Sequence, residues 1–385
     1  MFKFDRASLG RGGPRVAAIG VGGCGCKAVT RLHAALTDLV TVAVNTDVVS
    51  LRASQAMTKV RIGGKAVEGA GTGGDADLGR MAAERDVEML RGVFSDVDVA
   101  VVAVSLGGGT GSGATPVLLR AAAESETLVV VVACMPFGFE SAARRTTAER
   151  AFDELRTHAD LLVRIDNDRL LADAGNAKVA EAFEVGARML ARGVAAFVRM
   201  LASSSLLTVD PGDLRRVCTG GSCAFGMAAA EGNGRASAAV AALVKSPLLD
   251  GGKTLRDAPC AVLAIAAASD LAVTEVDSIV RDVAAALPKD CDLLVGINVD
   301  DRWGAALTVT VLAAARVKHA VAGARETSEP GRRKNRRRTK AKELQAKLQL
   351  DVVSKGRFKD VEATILDGED LDTPTFIRRG IEIDK

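Results

Sequence analysis

The chain has 385 residues, 48% of them hydrophobic and 26% charged, and its formal net charge is +3. This length exceeds what one ordinary core accommodates, so we expect two domains. The sequence contains no run of about 18 apolar residues and its first residues do not resemble a secretory leader, so we expect a soluble, cytoplasmic protein.

Seven cysteines lie in apolar or glycine-rich surroundings, and the chain has three histidines. The cysteine spacing differs from that of a secreted disulfide scaffold, so we expect reduced thiols. Cys24 and Cys26 are too close in sequence for a zinc knuckle. We therefore expect no metal ion bound by protein ligands alone.

The first half of the chain alternates short β-rich apolar runs with helix-like stretches. This alternation predicts an α/β fold in which a mostly parallel sheet is covered on both faces. The predicted strands are 15–19, 39–44, 97–104, 127–134 and 161–165, and the clearest predicted helices are 78–93 and 113–124. We assign residues 15–176 to this N-terminal parallel-sheet domain, after an N-terminal extension at 1–14.

A long amphipathic pattern at 177–203 predicts a central helix, to which we assign residues 177–207. A smaller α/β C-terminal domain, 208–322, begins near the turn signal Asp210-Pro211-Gly212. Its predicted strands are 261–266, 293–298 and 307–312, and its predicted helix is 273–286.

The composition changes sharply after residue 322 toward Arg, Lys, Glu and Gln, with a dense basic run at 332–342. This predicts a disordered tail that starts with a basic linker at 323–362. The charge of the linker attracts polyanions without selecting one of them. Residues 363–385 are patterned again and form a predicted C-terminal peptide.

A glycine-rich loop at 20–25, Gly-Val-Gly-Gly-Cys-Gly, directly follows the first predicted strand and precedes a helix. Missing β-carbons let backbone N–H groups close on an anion at the positive end of that helix. The loop therefore predicts a phosphate site. It also fits a tight structural turn, or a dinucleotide fingerprint in which Asp47 serves the ribose.

A second loop at 107–113, Gly-Gly-Gly-Thr-Gly-Ser-Gly, again follows an apolar strand and precedes a helix. Thr110 and Ser112 add hydroxyl donors. Two such loops on parallel strands can converge on one polyphosphate, which a dinucleotide enzyme does not require, and the Gly-Lys-Ser/Thr of a P-loop is absent. Because so many glycines are costly in backbone entropy, a purely structural role is disfavoured.

At these two loops the chain resembles the FtsZ branch of the tubulin superfamily, and the similarity extends through most of its length. The matching segments are 20–25, 45–47, 69–74, 107–113, 136–140 with Arg144, 167–171, 246–250 and 371–379. The resemblance implies a GTP-dependent polymer whose subunits bind GTP and Mg²⁺ in an N-terminal nucleotide-binding domain.

The resemblance also implies which residues contact the nucleotide. These are Gly22, Gly23, Cys24, Lys27, Asn45, Asp47, Gly71, Gly107, Gly108, Gly109, Thr110, Gly111, Ser112, Glu140, Arg144, Asn167 and Arg188. The next subunit is expected to complete the site from below through the loop after the central helix, so the active site is an interface.

That loop contains Asp210 and Asp213, which we predict to be catalytic. Two carboxylates three residues apart at a helix start can face the same direction and polarise water toward a terminal phosphate. The structural alternatives are a solvated loop residue for Asp210 and a helix cap for Asp213.

The chain departs from the family pattern mainly around the base. Lys27 stands where the family usually has Asn, and Ala187 and Arg188 stand where an amide and an acid read guanine. Because Arg can only donate hydrogen bonds, we expect relaxed base selectivity. Thr208, in place of Asn in the interface loop, predicts weaker hydrolysis.

We therefore interpret the chain as a cytoplasmic GTPase that polymerises head to tail and forms the cell division ring at mid-cell. The segment from Leu371 to Arg379 is expected to bind division proteins, and the basic linker to attract an anionic membrane surface, with no specific nucleic acid as partner. Two alternatives remain: a polymerising scaffold with little hydrolysis, and a Rossmann-type oxidoreductase that uses the first loop alone.

Overall fold

The computed structural model describes residues 14–36, 38–174, 178–201, 205–217, 222–314, 365–366 and 369–370. They fall into two units, one within Met1–Val321 and one within Ala322–Lys385. The predicted basic linker, the segment 371–379 and nearly all of the N-terminal extension lie outside the described residues.

The first unit is built on one sheet of ten described strands. In chain order they are β1 Val16–Val21, β2 Val40–Asn45, β3 Thr58–Arg61, β4 Val99–Ser105, β5 Leu128–Met135, β6 Leu161–Asp166, β7 Ser222–Glu231, β8 Cys260–Ala267, β9 Asp292–Val299 and β10 Ala306–Ala314. Their order across the sheet is β3-β2-β1-β4-β5-β6-β7-β10-β8-β9.

Helices connect these strands. In chain order they are α1 Gly22–Ala35, α2 Val48–Ala53, α3 Gly64–Val67, α4 Ala76–Arg85, α5 Val87–Arg91, α6 Gly109–Ala122, α7 Ala142–Leu155, α8 Asn167–Ala174, α9 Val179–Leu201, α10 Pro211–Val217, α11 Arg235–Val244, α12 Lys253–Arg256 and α13 Val273–Ala285. Short 3-10 turns lie at Gly92–Phe94, Pro247–Leu249 and Asp301–Trp303.

Strands β1 to β6 are parallel, and all of them except the edge strand β3 are buried along most of their length on both faces. Successive residues of each strand point to opposite faces, so Ala17 and Ile19 join one core while Ala18 joins the other. Helices α1 and α9 cover one face, and α4 to α7 cover the other. The predicted mostly parallel α/β fold, with helices on both sides of the sheet, is confirmed.

The two predicted domains share this sheet. Strand β6 pairs in parallel with β7, which begins the C-terminal half, and β7 then pairs antiparallel with β10. A separate apolar core forms where α11 and α13 pack on β8 and β10. The domain boundaries at 176 and 208 stay a prediction.

The eight predicted strands are found within two residues of their expected limits, but β3 and β7 were not predicted. The predicted helix 78–93 is broken at Asp86, whose backbone leaves the helical region with φ −111° and ψ 26°. The cause is a tertiary contact, because the Asp86 carboxylate accepts a hydrogen bond from the Gly63 N–H at 2.6 Å.

The second unit is described only at β11 Ile365–Leu366 and β12 Glu369–Asp370, which pair antiparallel. Both lie in the predicted C-terminal peptide. None of the helices among the described residues is long and apolar enough to cross a membrane.

Candidate functional site

The two glycine loops meet at the carboxyl ends of two neighbouring strands. They follow β1 and β4, which are parallel neighbours with Val21 opposite Val104. A β-carbon added to Gly22 would lie 3.3 Å from the backbone nitrogen of Gly111, and Gly22 has a φ of +74°. Helices α1 and α6 begin at these loops, so their free N–H groups share one location.

The glycines of the second loop have two different roles. A β-carbon on Gly109 would overlap the Oγ1 of Thr72 at 2.1 Å and the Asp75 carbonyl at 2.4 Å, and Gly111 and Gly113 also touch backbone. Packing therefore explains much of the glycine density that the sequence interpretation assigned to a ligand. At Gly108, by contrast, the nearest atom is an Arg144 guanidinium nitrogen at 4.0 Å. Gly108 leaves space for a ligand.

Polar side chains fix the loops to one another. The hydroxyls of Thr46 and Thr110 are hydrogen bonded at 2.7 Å. The Asn45 Oδ1 accepts from the backbone N–H groups of Thr46 at 2.9 Å and Asp47 at 3.3 Å. Asp47 caps α2, and the Ser50 hydroxyl that donates to its carboxylate lowers the pKa of Asp47. Asn45 and Asp47 thus shape the site through hydrogen bonds within the chain.

Two further predicted residues complete this cradle. The Ser112 Oγ accepts from the Gly107 N–H at 2.8 Å and so holds the second loop closed. Gly71, with a φ of +81°, lies beside Asp47, where an added β-carbon would be 3.5 Å from the Asp47 Cβ. The third predicted loop, 69–74, therefore borders the same cradle.

The start of α1 forms one wall. A β-carbon added to Gly23 would lie 3.9 Å from the Ser50 Oγ. The exposed Lys27 lines a depression between α1 and α2. Cys24 is half-buried, and burial raises the pKa of its thiol. Arg188 is exposed on α9 and lines a neighbouring depression with Arg31. Lys27 therefore borders the first glycine loop, whereas the depression beside Arg188 is also lined by Glu181 and Glu184.

Glu140 and Arg144 lie across the second loop. The Phe137 N–H donates to the Glu140 Oε1 at 2.8 Å, and Arg144 Nη1 lies 2.9 Å from the Oε2. Despite this ion pair, the buried Oε2 accepts no hydrogen bond from any described residue. Arg144 also lies against Gly107 and Gly108. A carboxylate acceptor and a guanidinium donor thus face the space beside Gly108.

A second buried acceptor lies at the start of α8. Asn167 is buried, with 7% of its surface exposed. Its Oδ1 nevertheless has no hydrogen-bond partner among the described residues. It lies near Gly186 of α9, where an added β-carbon would be 3.1 Å away. Buried acceptors without donors are unusual in native proteins, so this oxygen is available to a donor from a ligand or a water molecule.

The sequence interpretation missed an aromatic surface next to this acceptor. Phe183 is 46% exposed and Phe139 is 59% exposed, and both rings pack against the buried Phe137. Phe183 lies one helical turn before Gly186, on the side of α9 that faces Asn167. Phe183 fits the apolar pattern of α9, which does not distinguish an exposed ring from a buried one; the motif Pro136-Phe-Gly-Phe was the available signal.

Asp210 and Asp213 lie at the opposite end of the sheet. Arg215, in the same helix α10, pairs with Asp160 at 3.1 Å, and Asp160 immediately precedes β6. The glycine loops follow the carboxyl ends of the parallel strands, at the other end of the sheet. A strand of six residues is about 20 Å long, and that length separates the two ends. The structure therefore does not bring the two predicted catalytic residues to the loops of the same chain.

The capping role expected for Asp213 belongs to Asp210 instead. The Asp210 Oδ1 accepts from the Gly212 N–H at 2.7 Å, and Pro211 is the first residue of α10. Pro211 has no backbone N–H that would need a partner, and the Asp210 carboxylate accepts from the next backbone N–H, that of Gly212. Asp210 is exposed, and this cap uses one of its two carboxylate oxygens.

A parallel sheet with two converging glycine loops, a hydroxyl-lined cradle and an adjoining aromatic surface defines a nucleotide-binding α/β protein. The sequence matches the Tubulin/FtsZ family, GTPase domain, over residues 15–175 and the FtsZ family, C-terminal domain, over residues 221–316. The chain belongs to the Tubulin/FtsZ family. GTP binding and GTPase activity follow in general from its GTPase domain, and the Rossmann-type alternative has no support.

Individual relatives agree with this assignment. The chain is 33% identical over 302 residues to the cell division protein FtsZ of Methanothermobacter thermautotrophicus, covering 78% of this chain and 79% of the relative. It is 31% identical to the cell division protein FtsZ 1 of Archaeoglobus fulgidus, covering 74% and 77% of the two chains. The solved FtsZ dimer of M. jannaschii matches with a TM-score of 0.75 and 29% identity, covering 79% and 88%.

Proposed function

We propose that this chain is a cytoskeletal GTPase that polymerises head to tail and forms the cell division ring at mid-cell. The observation that carries this proposal is the separation of Asp210 from the glycine loops, at opposite ends of one parallel sheet. Subunits stacked along the strand direction would bring the two ends together. The named relatives are cell division proteins, and one solved relative is a dimer.

The phosphates of GTP would bind where α1 and α6 begin. The N–H groups of Gly22, Gly23 and Cys24 in one loop, and of Gly108 to Gly111 in the other, would provide donors at two positive helix ends. Lys27 and Arg144 add positive charge at the rim. The open space at Gly108 supports this assignment, because a side chain there would fill the cradle.

The nucleoside would extend toward Phe183. The Glu140 carboxylate, which is paired with Arg144, would accept from a ribose hydroxyl, and the Asn167 Oδ1 suits a donor on the base. The exposed Phe183 ring offers a stacking surface that any base can use. Arg188 has only donors, so we expect GTP to be preferred over ATP less strongly than in typical relatives.

We assign Mg²⁺ to the phosphates of GTP. No group of three or more His, Cys, Asp or Glu side chains in the described part of the chain is arranged to hold a metal ion. Mg²⁺ commonly keeps several waters and is held largely by substrate phosphates. When bound it would neutralise charge on the phosphates, and the donors of the two loops would orient them.

Hydrolysis would take place between subunits. Asp210 and Asp213 of one subunit would polarise a water molecule toward the terminal phosphate held by the next. Capping through a single oxygen leaves the other Asp210 oxygen available for this role. Thr208 precedes both residues in place of the usual Asn, and we expect slower turnover for that reason.

Further partners are proposed for parts of the chain outside the described residues. The segment 371–379 would bind other division proteins, and the basic linker 323–362 would add attraction to an anionic membrane. Neutralising Arg332, Arg333, Arg336, Arg337 and Arg338 tests the second point. Unchanged liposome binding after that substitution would remove the linker from the proposal.

Pelleting combined with phosphate release tests the function itself. We expect the full chain to sediment in GTP and Mg²⁺ and to release phosphate only above the concentration at which it assembles. Titrations with GTP, GDP and ATP measure binding separately. Pelleting without phosphate release would identify a polymerising scaffold. NAD binding without pelleting would support the oxidoreductase alternative instead.

A further inference from the structure

Four residues form a closed ring of contacts where α9 ends; we call this ring the Trp303 clasp. Its members are Arg199, Ser205, Asn298 and Trp303. The Ser205 hydroxyl donates to the Arg199 carbonyl at 2.9 Å, and Asn298 Nδ2 donates to the Ser205 Oγ at 3.2 Å. Trp303 Nε1 donates to the Asn298 Oδ1 at 3.3 Å, and the Trp303 ring centroid lies 4.1 Å from the Arg199 guanidinium carbon.

The hydrogen bonds of the clasp can run in one direction only. An indole N–H is only a donor, so it fixes the Asn298 oxygen toward Trp303 and the Asn298 nitrogen toward Ser205. Ser205 then accepts from Asn298 and directs its own hydrogen to the Arg199 carbonyl. That carbonyl is among the last four of α9, which lack partners within the helix. Asn298 is 6% exposed, so each of these bonds matters to a buried group.

The clasp is continuous with the anchors of the loop that carries Asp210. Leu207 exchanges two backbone hydrogen bonds with Ile297, at 3.2 and 2.9 Å. The Val209 N–H then reaches the Met200 carbonyl at 3.5 Å. The described part of this loop is therefore tied to α9 on one side and β9 on the other. Asp210 follows immediately.

We propose that the Trp303 clasp positions Asp210 for the nucleotide of the adjoining subunit, with Asn298 and Trp303 as positioning residues. This inference rests on the proposed function, because it gives Asp210 a substrate in the neighbouring chain. Trp303 lies in the turn Asp301–Trp303 and Asn298 lies on β9, so both positioning residues belong to the C-terminal half.

The expected size of the effect follows from geometry. Displacing a catalytic group by about 1 Å costs roughly a hundredfold in rate. Loss of one clasp bond still leaves the Leu207–Ile297 pair in place, so the displacement is smaller. We expect Asn298→Ala and Ser205→Ala each to lower the turnover number per assembled subunit about tenfold.

The experiment measures GTP turnover of the full chain under assembling conditions, alongside nucleotide affinity below the assembly concentration. For Asn298→Ala and Ser205→Ala we expect kcat to fall while KM, monomer affinity and the pelleted fraction stay at wild-type values. Ser278→Ala, a half-buried serine on α13 whose hydroxyl bonds Asp282, is the matched control and should change none of these. Trp303→Phe keeps a ring over Arg199 but removes the N–H donor, so we expect about a threefold loss of kcat.

A spectroscopic readout reports the clasp directly, because Trp303 is the single tryptophan of the chain. Ser205→Ala should make the Trp303 emission more accessible to acrylamide, and Ser278→Ala should not. Should Asn298→Ala fail to fold, Ser205→Ala and Trp303→Phe provide the test.

The outcomes separate this inference from the function on which it rests. Wild-type kcat in the clasp variants, with turnover lost in Asp210→Ala, overturns the positioning role and leaves the proposed function intact. Loss of pelleting together with turnover in the clasp variants also overturns it, since the clasp would then support assembly. An assembled wild type without turnover overturns both.

Discussion

Gly109 and Thr72 approach so closely that a β-carbon on Gly109 would lie 2.1 Å from the Thr72 Oγ1. The next obstacle, the Asp75 carbonyl at 2.4 Å, is backbone and cannot rotate away. The neighbouring Gly108 faces open space and has ordinary extended angles, φ −94° and ψ 163°. Two adjacent glycines of one loop therefore serve folding and ligand access separately.

This difference predicts that alanine at Gly109 mainly lowers stability, whereas alanine at Gly108 mainly weakens nucleotide binding. Gly109→Ala should lower the free energy of unfolding by about 2 kcal/mol, because the methyl group overpacks a backbone contact. Gly108→Ala should lower it by less than about 1 kcal/mol, the difference between glycine and alanine at a helix N-cap, yet weaken GTP binding roughly tenfold. Urea unfolding and nucleotide titration of both variants measure the two effects. Equal losses of stability would contradict the assignment.

The cap at Asp210 allows its fold and catalytic roles to be separated. Asn caps helices as well as Asp does, whereas Ala loses about 1 kcal/mol. We expect Asp210→Asn to retain wild-type stability and Asp210→Ala to be less stable by about that amount. Both should bind GTP as monomers, and both should fail to hydrolyse it in the polymer. Hydrolysis by Asp210→Asn at the wild-type rate would show that the carboxylate is not required.

Phe183 should contribute to nucleotide affinity without selecting the base. Stacking on an aromatic ring contributes about 1–3 kcal/mol per base, so Phe183→Ala should weaken GTP and ATP binding about tenfold or more. Phe183→Tyr keeps the ring and serves as the control, with affinity near wild type. Competition titrations with both nucleotides give the ratio. A loss confined to GTP would mean that Phe183 reads the base.

The sequence predicted the longer strands that are rich in β-branched residues, and it missed β7 and the four-residue strand β3. Strand β4 is mostly valine, whereas β7 has the sequence Ser-Cys-Ala-Phe-Gly-Met-Ala-Ala-Ala-Glu without one β-branched residue. Strand β7 forms because β6 and β10 pair with its two edges. Such a strand is determined by its neighbours in space, which local propensity does not record.

At the site, the residue types predicted where the loops are, but not what each side chain does. Asn45 and Asp47 are conspicuous polar residues, yet their oxygens accept from nearby N–H groups of the chain. Phe183 belongs to a helical apolar stripe, and only its exposure in the structure distinguishes it from a core residue. A free acceptor such as the Asn167 Oδ1 is defined by a missing partner, which no local pattern can reveal.

The pair formed by Arg235 and Glu275 should make stability depend on acid pH. The Arg235 guanidinium hydrogen bonds the Glu275 carboxylate at 2.8 and 3.1 Å, and this contact lowers the pKa of Glu275. A carboxyl whose pKa is lower in the folded than in the unfolded state contributes stability above its unfolded pKa, near 4.3. That contribution disappears as the pH falls through the folded pKa.

We therefore expect Glu275→Gln to lower the free energy of unfolding by about 2 kcal/mol at pH 7, because a hydrogen bond to a charged group is lost. The amide oxygen of Gln can still accept from the Ala272 N–H, so the start of α13 is preserved. At pH 3 the wild type has lost part of the same contribution, and the difference between the two proteins should shrink. Urea unfolding at both pH values, with the exposed Glu126→Gln as control, measures it; a difference independent of pH would locate the acid sensitivity elsewhere.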